Sequence, residues 1–156
     1  MCGRFSLDAS IDVLIERYKA RNSVEFEAQK EVFPTNSVPV VISKGHNELK
    51  IMKWGFSFEF SKSPIINARA ETVDIKQSFK YPLLKKRCII PVTSFFEWEN
   101  LDGKKVKRKI YIHEDIFSLA GLYNVFLDKE GKAYEAFTII TTEANEDMRK
   151  IHDRMP

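Results

Sequence analysis

The sequence predicts an α+β fold, in which one domain is built mostly of short strands with a few short helices. Runs rich in β-branched and aromatic residues recur between residues 38 and 142, and turn-forming residues separate them. One N-terminal stretch instead carries apolar residues at helical spacing. A chain of 156 residues can bury one core and is short for two domains. We therefore expect a single α+β domain.

The N-terminal half opens with a predicted helix over residues 8–21. Its apolar stripe consists of Ile11, Leu14, Ile15 and Tyr18, and Ser6 or Asp8 can cap it. Residues 22–37 are polar and read as a loop. Residues 38–43 and 49–54 are β-rich, and residues 44–47 between them are typical of a hairpin turn.

The C-terminal half adds most of the predicted strands. A helical turn over residues 74–79 should stop at Tyr81-Pro82. Strands follow over residues 88–92 and 94–99, and the latter leads into an Asp-Gly hairpin turn at residues 100–103. Further strands are predicted at residues 116–126 and 133–142, and a short helix at residues 145–151.

The composition is that of an ordinary globular protein, with 44% hydrophobic and 30% charged residues and a net charge of +3. The first twenty residues lack the apolar core of a signal peptide, and no apolar run is long enough to span a bilayer. Two cysteines predict neither a disulfide framework nor a zinc set. We expect a cytoplasmic protein without metal, cofactor or membrane partner.

Cys2 carries distinctive potential chemistry. Aminopeptidases remove an initiator methionine that precedes a small residue, and Cys2 would then bear both an α-amine and a thiol. An unprotonated amine attacks an aldehyde to form an imine, and the neighbouring sulfur can close on the imine carbon to give a thiazolidine. The alternative is an unused cysteine at a frayed terminus.

Three later segments carry polar side chains that their predicted structure does not require. Glu97 lies on an aromatic strand and shares a face with Phe95; an apolar cleft would make it an acid/base group, but the pattern alone favours an exposed carboxylate. Asn67 and Arg69 share one side of an extended segment. Asn67 could hold an amine and Arg69 a phosphate, or Asn67 could start a turn and Arg69 form a surface ion pair. His152, beside Asp153, is a candidate proton carrier or a structural histidine.

Two dense basic clusters qualify the low net charge. They are Lys85-Lys86-Arg87 and the group of Lys104, Lys105, Lys107, Arg108 and Lys109. Such clusters can neutralise phosphates, although a basic run on a hairpin is also typical of a solvated face.

Short segments along nearly the whole chain resemble the SRAP family of SOS response-associated peptidases. They are residues 1–5 (MCGRF), 54–55 (WG), 66–72 (INARAET), 87–91 (RCIIP), 96–98 (FEW), 139–142 (IITT), 144–145 (AN) and 151–156 (IHDRMP). The resemblance implies a compact α+β domain with a highly curved, barrel-like sheet. We expect residues 1–156 to form one such domain, lacking the C-terminal part of the family domain.

The resemblance also implies a function, namely recognition of abasic sites in single-stranded DNA and covalent cross-linking to them. It makes Cys2 the nucleophile, Asn67 the residue that orients its amine and the sugar, Glu97 the acid/base and His152 a proton shuttle. It further assigns DNA contacts or pocket shaping to another set: Arg4, Trp54, Arg69, Thr141 and Arg154. The implied partner is single-stranded DNA, and the implied protein is a monomer, associated with the nucleoid when it is bound to damaged DNA.

Two other functions remain open at this point. A cysteine–histidine pair could serve a thiol peptidase, the activity in the family's name, acting either generally or only on Met1 of the same chain. Alternatively, the basic clusters and aromatic residues could belong to a noncatalytic single-strand-binding module. The latter would bind intact and abasic strands equally and form no covalent product.

Overall fold

The computed structural model describes residues 2–156, which form eleven strands and three α-helices. The strands are β1 (Phe5–Leu7), β2 (Gln29–Val32), β3 (Ser37–Ser43), β4 (Asn47–Trp54), β5 (Asn67–Arg69), β6 (Arg87–Val92), β7 (Ser94–Leu101), β8 (Lys104–Ile110), β9 (Phe117–Leu127), β10 (Ala133–Glu143) and β11 (Arg154–Met155). The helices are α1 (Ile11–Tyr18), α2 (Gln77–Lys85) and α3 (Glu146–Arg149). None of the helices in this described part of the chain is long and apolar enough to cross a membrane.

Five strands close into a barrel. Strand β3 pairs antiparallel with β4 and β6, β6 pairs antiparallel with β9, and β9 pairs antiparallel with β10. The ring closes where β10 pairs with β4 in parallel, so that Phe137 lies beside Trp54. This closed, mostly antiparallel sheet confirms the predicted α+β fold with its curved, barrel-like sheet.

Aromatic residues fill one end of the barrel. The Trp54 and Phe137 rings stack with centroids 6.3 Å apart, and the Phe5 ring lies 4.9 Å from that of Trp54. Trp54 is completely buried, and its indole Nε1 donates to the carbonyl oxygen of Ile66 at 3.1 Å. Because Phe5 belongs to β1, this cluster joins the chain start to the barrel.

A second sheet of four strands, in the order β2-β1-β7-β8, carries the N-terminus. Strand β1 pairs with β7 through Phe5–Phe95 and Ser6–Ser94, and β7 continues into a regular hairpin with β8. Two short strands pair with the C-terminal part of the barrel strand β10. β5 pairs with it in parallel over residues 139–141, and β11 pairs antiparallel with residues 142–143.

Several predicted elements need correction. Helix α1 begins after Ser10, whose Oγ accepts from the amide of Val13, because Ser6 is already in β1 and donates to the carbonyl oxygen of Lys30. The predicted loop at residues 22–37 contains strand β2. Helix α2 starts later than predicted and continues through Pro82, since Pro82 and Phe79 are buried on the same helix face and their packing offsets the lost amide donor.

Candidate active site

Cys2 lies buried just ahead of β1. Its side chain has no exposed surface, and the thiol Sγ lies 3.9 Å from the carbonyl oxygen of Arg4, to which it donates. Burial, reinforced by the negative charge of Glu97, raises the pKa of the Cys2 thiol from 9.0 to about 12. Cys2 is therefore packed into the protein, and its thiol is protonated at neutral pH.

Glu97 is also buried, with only 2% of its surface exposed. The exposed carboxylate favoured by the strand pattern is therefore wrong. Glu97 shares the inward face of β7 with Phe95, as the alternation predicts, and β1 and β8 cover β7 on both edges. A solvent face was expected because nothing in the local sequence shows that this face of β7 is covered by the rest of the molecule.

His152 approaches Glu97 from the C-terminal end of the chain. Its Nε2 lies 3.9 Å from Glu97 Oε2, an ion-pair distance rather than a hydrogen bond. Its Nδ1 lies 2.8 Å from Asp153 Oδ1 and 3.0 Å from the amide nitrogen of Arg154. Since the carboxylate suits a protonated Nδ1 and the amide suits an unprotonated one, the imidazole can be held in either state while Nε2 faces the glutamate.

Asn67 stands at the start of β5, level with Ile139 of β10. Its Nδ2 donates to the carbonyl oxygen of Ile66 at 3.0 Å. Its Oδ1 is buried and accepts no hydrogen bond from residues 2–156. An unsatisfied buried acceptor costs about 1–3 kcal/mol, so this oxygen is suited to receive a donor from a ligand or from the amine of a processed terminus.

Arg154, on β11, is held by one residue of β10 and by one residue of the short helical turn that follows β5. Its guanidinium forms a bidentate ion pair with Glu71 at 2.8 and 3.0 Å. It also donates to the carbonyl oxygen and to the hydroxyl of Thr141, at 2.8 and 3.2 Å. Thr141 is completely buried in the free protein and accepts these hydrogen bonds from Arg154; its predicted contact with DNA stays a prediction.

Two further arginines differ in their surroundings. The Arg4 guanidinium lies over the Phe33 and Trp98 rings, 4.2 and 5.2 Å from their centroids, and contacts Glu31 at 3.3 Å. Arg69 is exposed and level with Thr141. A cavity of about 370 Å³ is lined by these residues: Arg69, Glu143, Arg149, Asp153 and Arg154.

Trp54 is a core residue in the free protein, buried between Phe5 and Phe137 with a hydrogen bond to the carbonyl oxygen of Ile66. Its predicted stacking on DNA bases stays a prediction. Sequence reasoning assigned no role to Glu71 or Glu31, which hold Arg154 and Arg4. Glu71 lies inside the segment INARAET, close in sequence to Asn67 and Arg69, and this proximity was the signal that could have marked it as part of the site.

The structure thus joins Cys2, Glu97 and His152, which come from the start, middle and end of the chain. Asn67, Arg69 and Arg154 are placed together on strands that flank β10. Across residues 2–156, no group of three or more histidine, cysteine, aspartate or glutamate side chains could hold a metal ion. The fold and the site define a class of protein: a strand-rich α+β barrel whose second residue, a cysteine, is enclosed beside a carboxylate and an imidazole.

The chain belongs to the SOS response associated peptidase (SRAP) family, whose sequence pattern matches residues 1–156. The abasic site processing protein YoqW of Bacillus subtilis is 40% identical over 167 residues, covering 100% of this chain and 75% of YoqW. The abasic site processing protein HMCES of Gallus gallus is 29% identical over 164 residues, covering 79% of this chain and 48% of HMCES.

Solved structures share the fold. A protein from Bacteroides thetaiotaomicron superposes with a TM-score of 0.88 and 32% identity, covering 99% of this chain and 75% of that one. A protein from Bordetella bronchiseptica superposes with a TM-score of 0.84 over 99% of this chain and 82% of that one; its 22% identity bears on the fold alone.

Proposed function

We propose that this protein recognises abasic sites in single-stranded DNA and forms a covalent cross-link to them through Cys2. The observation that carries the proposal is the cluster in which the buried side chains of Cys2 and Glu97 meet the partly exposed His152. The family relationship supports it, since YoqW and HMCES are named abasic site processing proteins. The ring-opened sugar of an abasic site is an aldehyde, the functional group with which an amine and a thiol on one residue combine.

The chemistry requires a free α-amine on Cys2. Met1 lies outside the described residues, and we propose that it is removed before reaction because an acylated nitrogen cannot form an imine. The amine adds to the aldehyde carbon, and loss of one water gives the imine. The thiol then adds across the C=N bond. Sulfur bonds to the carbon and loses its proton, and the nitrogen gains one proton. No oxidant or reductant is consumed.

The neighbouring side chains fit the proton transfers of these steps. Glu97 and His152 are a carboxyl group and an imidazole 3.9 Å apart, suited to give a proton to the hydroxyl group that leaves as water and to accept the thiol proton. Asn67 Oδ1, buried without a donor among the described residues, is suited to accept from the Cys2 amine or a sugar hydroxyl. Arg4, Arg69 and Arg154 supply cations for the phosphates that flank the lesion.

The raised thiol pKa favours this order of events over a thiol peptidase. A nucleophilic cysteine of the peptidase type has a lowered pKa, whereas burial and the charge of Glu97 raise that of Cys2 to about 12. A protonated thiol leaves the amine to attack first. Peptidase chemistry is then confined to one candidate reaction, removal of Met1 in the same chain. Met1 retained in Glu97→Ala and absent in the wild type would support it.

The test mixes purified protein with a single-stranded oligonucleotide that carries one abasic site. A denaturing gel and intact-mass analysis should show an adduct with the mass of both components less one water. Cys88→Ala is the matched control, because Cys88 is the other cysteine of the chain and lies on β6, outside the cluster. It should cross-link normally, whereas Cys2→Ala should not.

Cys2→Ser separates the two bonds. It keeps the amine but lacks the sulfur, so we expect an imine that is trapped by borohydride and that hydrolyses without it. A stable adduct from Cys2→Ala in the absence of borohydride, or no adduct from wild-type protein whose mass shows that Met1 is gone, would refute the proposal. Equal noncovalent binding of intact and abasic strands without an adduct would instead support the single-strand-binding module.

A further inference from the structure

The outward face of the four-stranded sheet combines aromatic rings with cations beside the N-terminus. Opposite residues of an antiparallel pair point to the same side, and Trp98 of β7 is opposite Lys107 of β8, while Asn100 is opposite Lys105. Arg4 reaches this side too, since its guanidinium lies over the Trp98 ring. We call the following set the aromatic–basic face: Arg4, Phe33, Trp98, Lys105 and Lys107.

This face starts at the candidate active site and leads away from it. The carbonyl oxygen of Arg4 accepts from the amide of Phe96 at 2.9 Å, so β7 runs alongside the N-terminal residues. The chain before Arg4 leads to Cys2, and β7 continues from Phe96 in the same direction towards the hairpin tip. Glu97, which contributes to the cluster, lies on β7 with its side chain on the opposite side.

The cations on the face are spaced regularly. Lys105 and Lys107 are two residues apart on one strand, which separates them by about 7 Å. This is comparable with the distance between successive phosphates of an extended single strand. Both are exposed, and Phe33, 42% exposed, offers a ring surface on the same face.

Lys109 has the same orientation on β8 but different surroundings. It lines a separate cleft of about 400 Å³ together with three carboxylates: Asp8, Glu114 and Asp115. Those charges offset its attraction for phosphate. The cationic part of the face therefore ends at Lys107 on one side and reaches the hairpin tip at Lys105 on the other.

We propose that the aromatic–basic face binds the phosphodiester backbone of the single strand that leaves the Cys2 site. The statement that the bound strand is the one leaving the Cys2 site rests on the proposed function. The affinity of this face for a single strand does not depend on it. Glu31 acts as an internal competitor, because its carboxylate contacts both Arg4 and Lys107 in the free protein. An arriving phosphate takes the place of that carboxylate on the two cations.

The test is noncovalent binding of an intact single-stranded oligonucleotide, measured by fluorescence anisotropy over a range of salt concentrations. Each lost phosphate contact lowers the slope of log affinity against log salt by roughly 0.7 for single strands. The variant Lys105→Gln/Lys107→Gln should therefore reduce the slope by about 1.4. Lys129→Gln/Lys132→Gln removes the same charge from an exposed turn between β9 and β10 and should leave the slope unchanged.

Glu31→Gln tests the face in the opposite direction, since it frees both cations and should tighten binding and steepen the salt dependence. Equal slopes for the two lysine pairs, or binding unaffected by Glu31→Gln, would overturn the inference. Cross-linking is scored separately on a saturating abasic strand. Loss of the wild-type adduct would refute the proposed function, and the slopes would still decide whether this face binds DNA.

Discussion

Glu97→Gln is the substitution with the most informative consequences, because it should make the Cys2 thiol easier to ionise and yet slow the cross-linking reaction. Burial and the charge of Glu97 together raise the thiol pKa from 9.0 to about 12. At pH 8 this reduces the thiolate fraction from about one in ten to about one in ten thousand, a difference of about 4 kcal/mol. Replacing the carboxylate by a neutral amide should lower the thiol pKa, although burial keeps it above 9.0.

The rate of cross-linking should nevertheless fall. A positioned acid/base group contributes about 10²–10⁴-fold to a proton-transfer step, which corresponds to about 3–5 kcal/mol of barrier. If release of the thiolate limited the reaction, Glu97→Gln would accelerate it. Since we assign the limiting steps to proton transfers during imine formation and ring closure, the substitution should slow it.

The two properties are measured on one pair of samples. The thiol is titrated by NMR of ¹³Cβ-labelled cysteine in a Cys88→Ala background, which reports ionisation without requiring reagent access. Cross-linking to an abasic oligonucleotide is followed on denaturing gels under single-turnover conditions. Glu99→Gln is the matched control, because Glu99 is two residues further along the same face of β7 and pairs with Arg108.

The reasoning fails if Glu97→Gln cross-links as fast as the wild type or faster. It also fails if the Cys2 pKa is unchanged or rises, since the carboxylate would then not be the neighbour that holds the thiol protonated. Slower cross-linking by Glu99→Gln to the same extent would show a general effect of charge on β7 rather than the action of a placed acid/base.

Three further predictions concern stability. Trp54→Ala should lower the free energy of unfolding by about 3–5 kcal/mol in urea titrations, whereas a loss below about 1 kcal/mol accompanied by weaker DNA binding would contradict its core role. Gly121→Ala should cost about 1–3 kcal/mol, because its Cβ would lie 2.2 Å from Ile90 Cδ1 and 2.9 Å from the carbonyl oxygen of Thr138; an unchanged melting temperature would contradict this close approach. The hydrogen bonds from Arg154 lower the pKa of Glu71 below 4.5, so this pair stabilises the fold above that pH and is lost as the pH falls through the lowered pKa. Glu71→Gln should therefore flatten the acid limb of stability against pH, and an unaltered limb would count against the pair.

Local patterns predicted much of the secondary structure. The hairpins β3–β4 and β7–β8 and the long strands β9 and β10 lie close to the predicted ranges, because alternating apolar residues and turn residues encode them locally. Strand β2 and the path of α2 through Pro82 were missed. Both depend on partners distant in the chain: β2 is formed by pairing with β1, and α2 is held by its buried face.

The candidate residues Cys2, Asn67, Glu97 and His152 could be chosen from the sequence, since their chemistry and the family resemblance are properties of the chain itself. The sequence alone could not show which of these side chains are enclosed together. The burial of Glu97 depends on the part of the molecule that packs over its face of β7, and its approach to His152 depends on the placement of the C-terminal turn. The buried positions of Trp54 and Thr141 likewise follow from barrel closure and from the packing of β10. Residue type and local pattern thus determined the possible chemistry, whereas long-range strand pairing decided which side chains lost their water, because desolvation depends on what the rest of the chain places over each side chain.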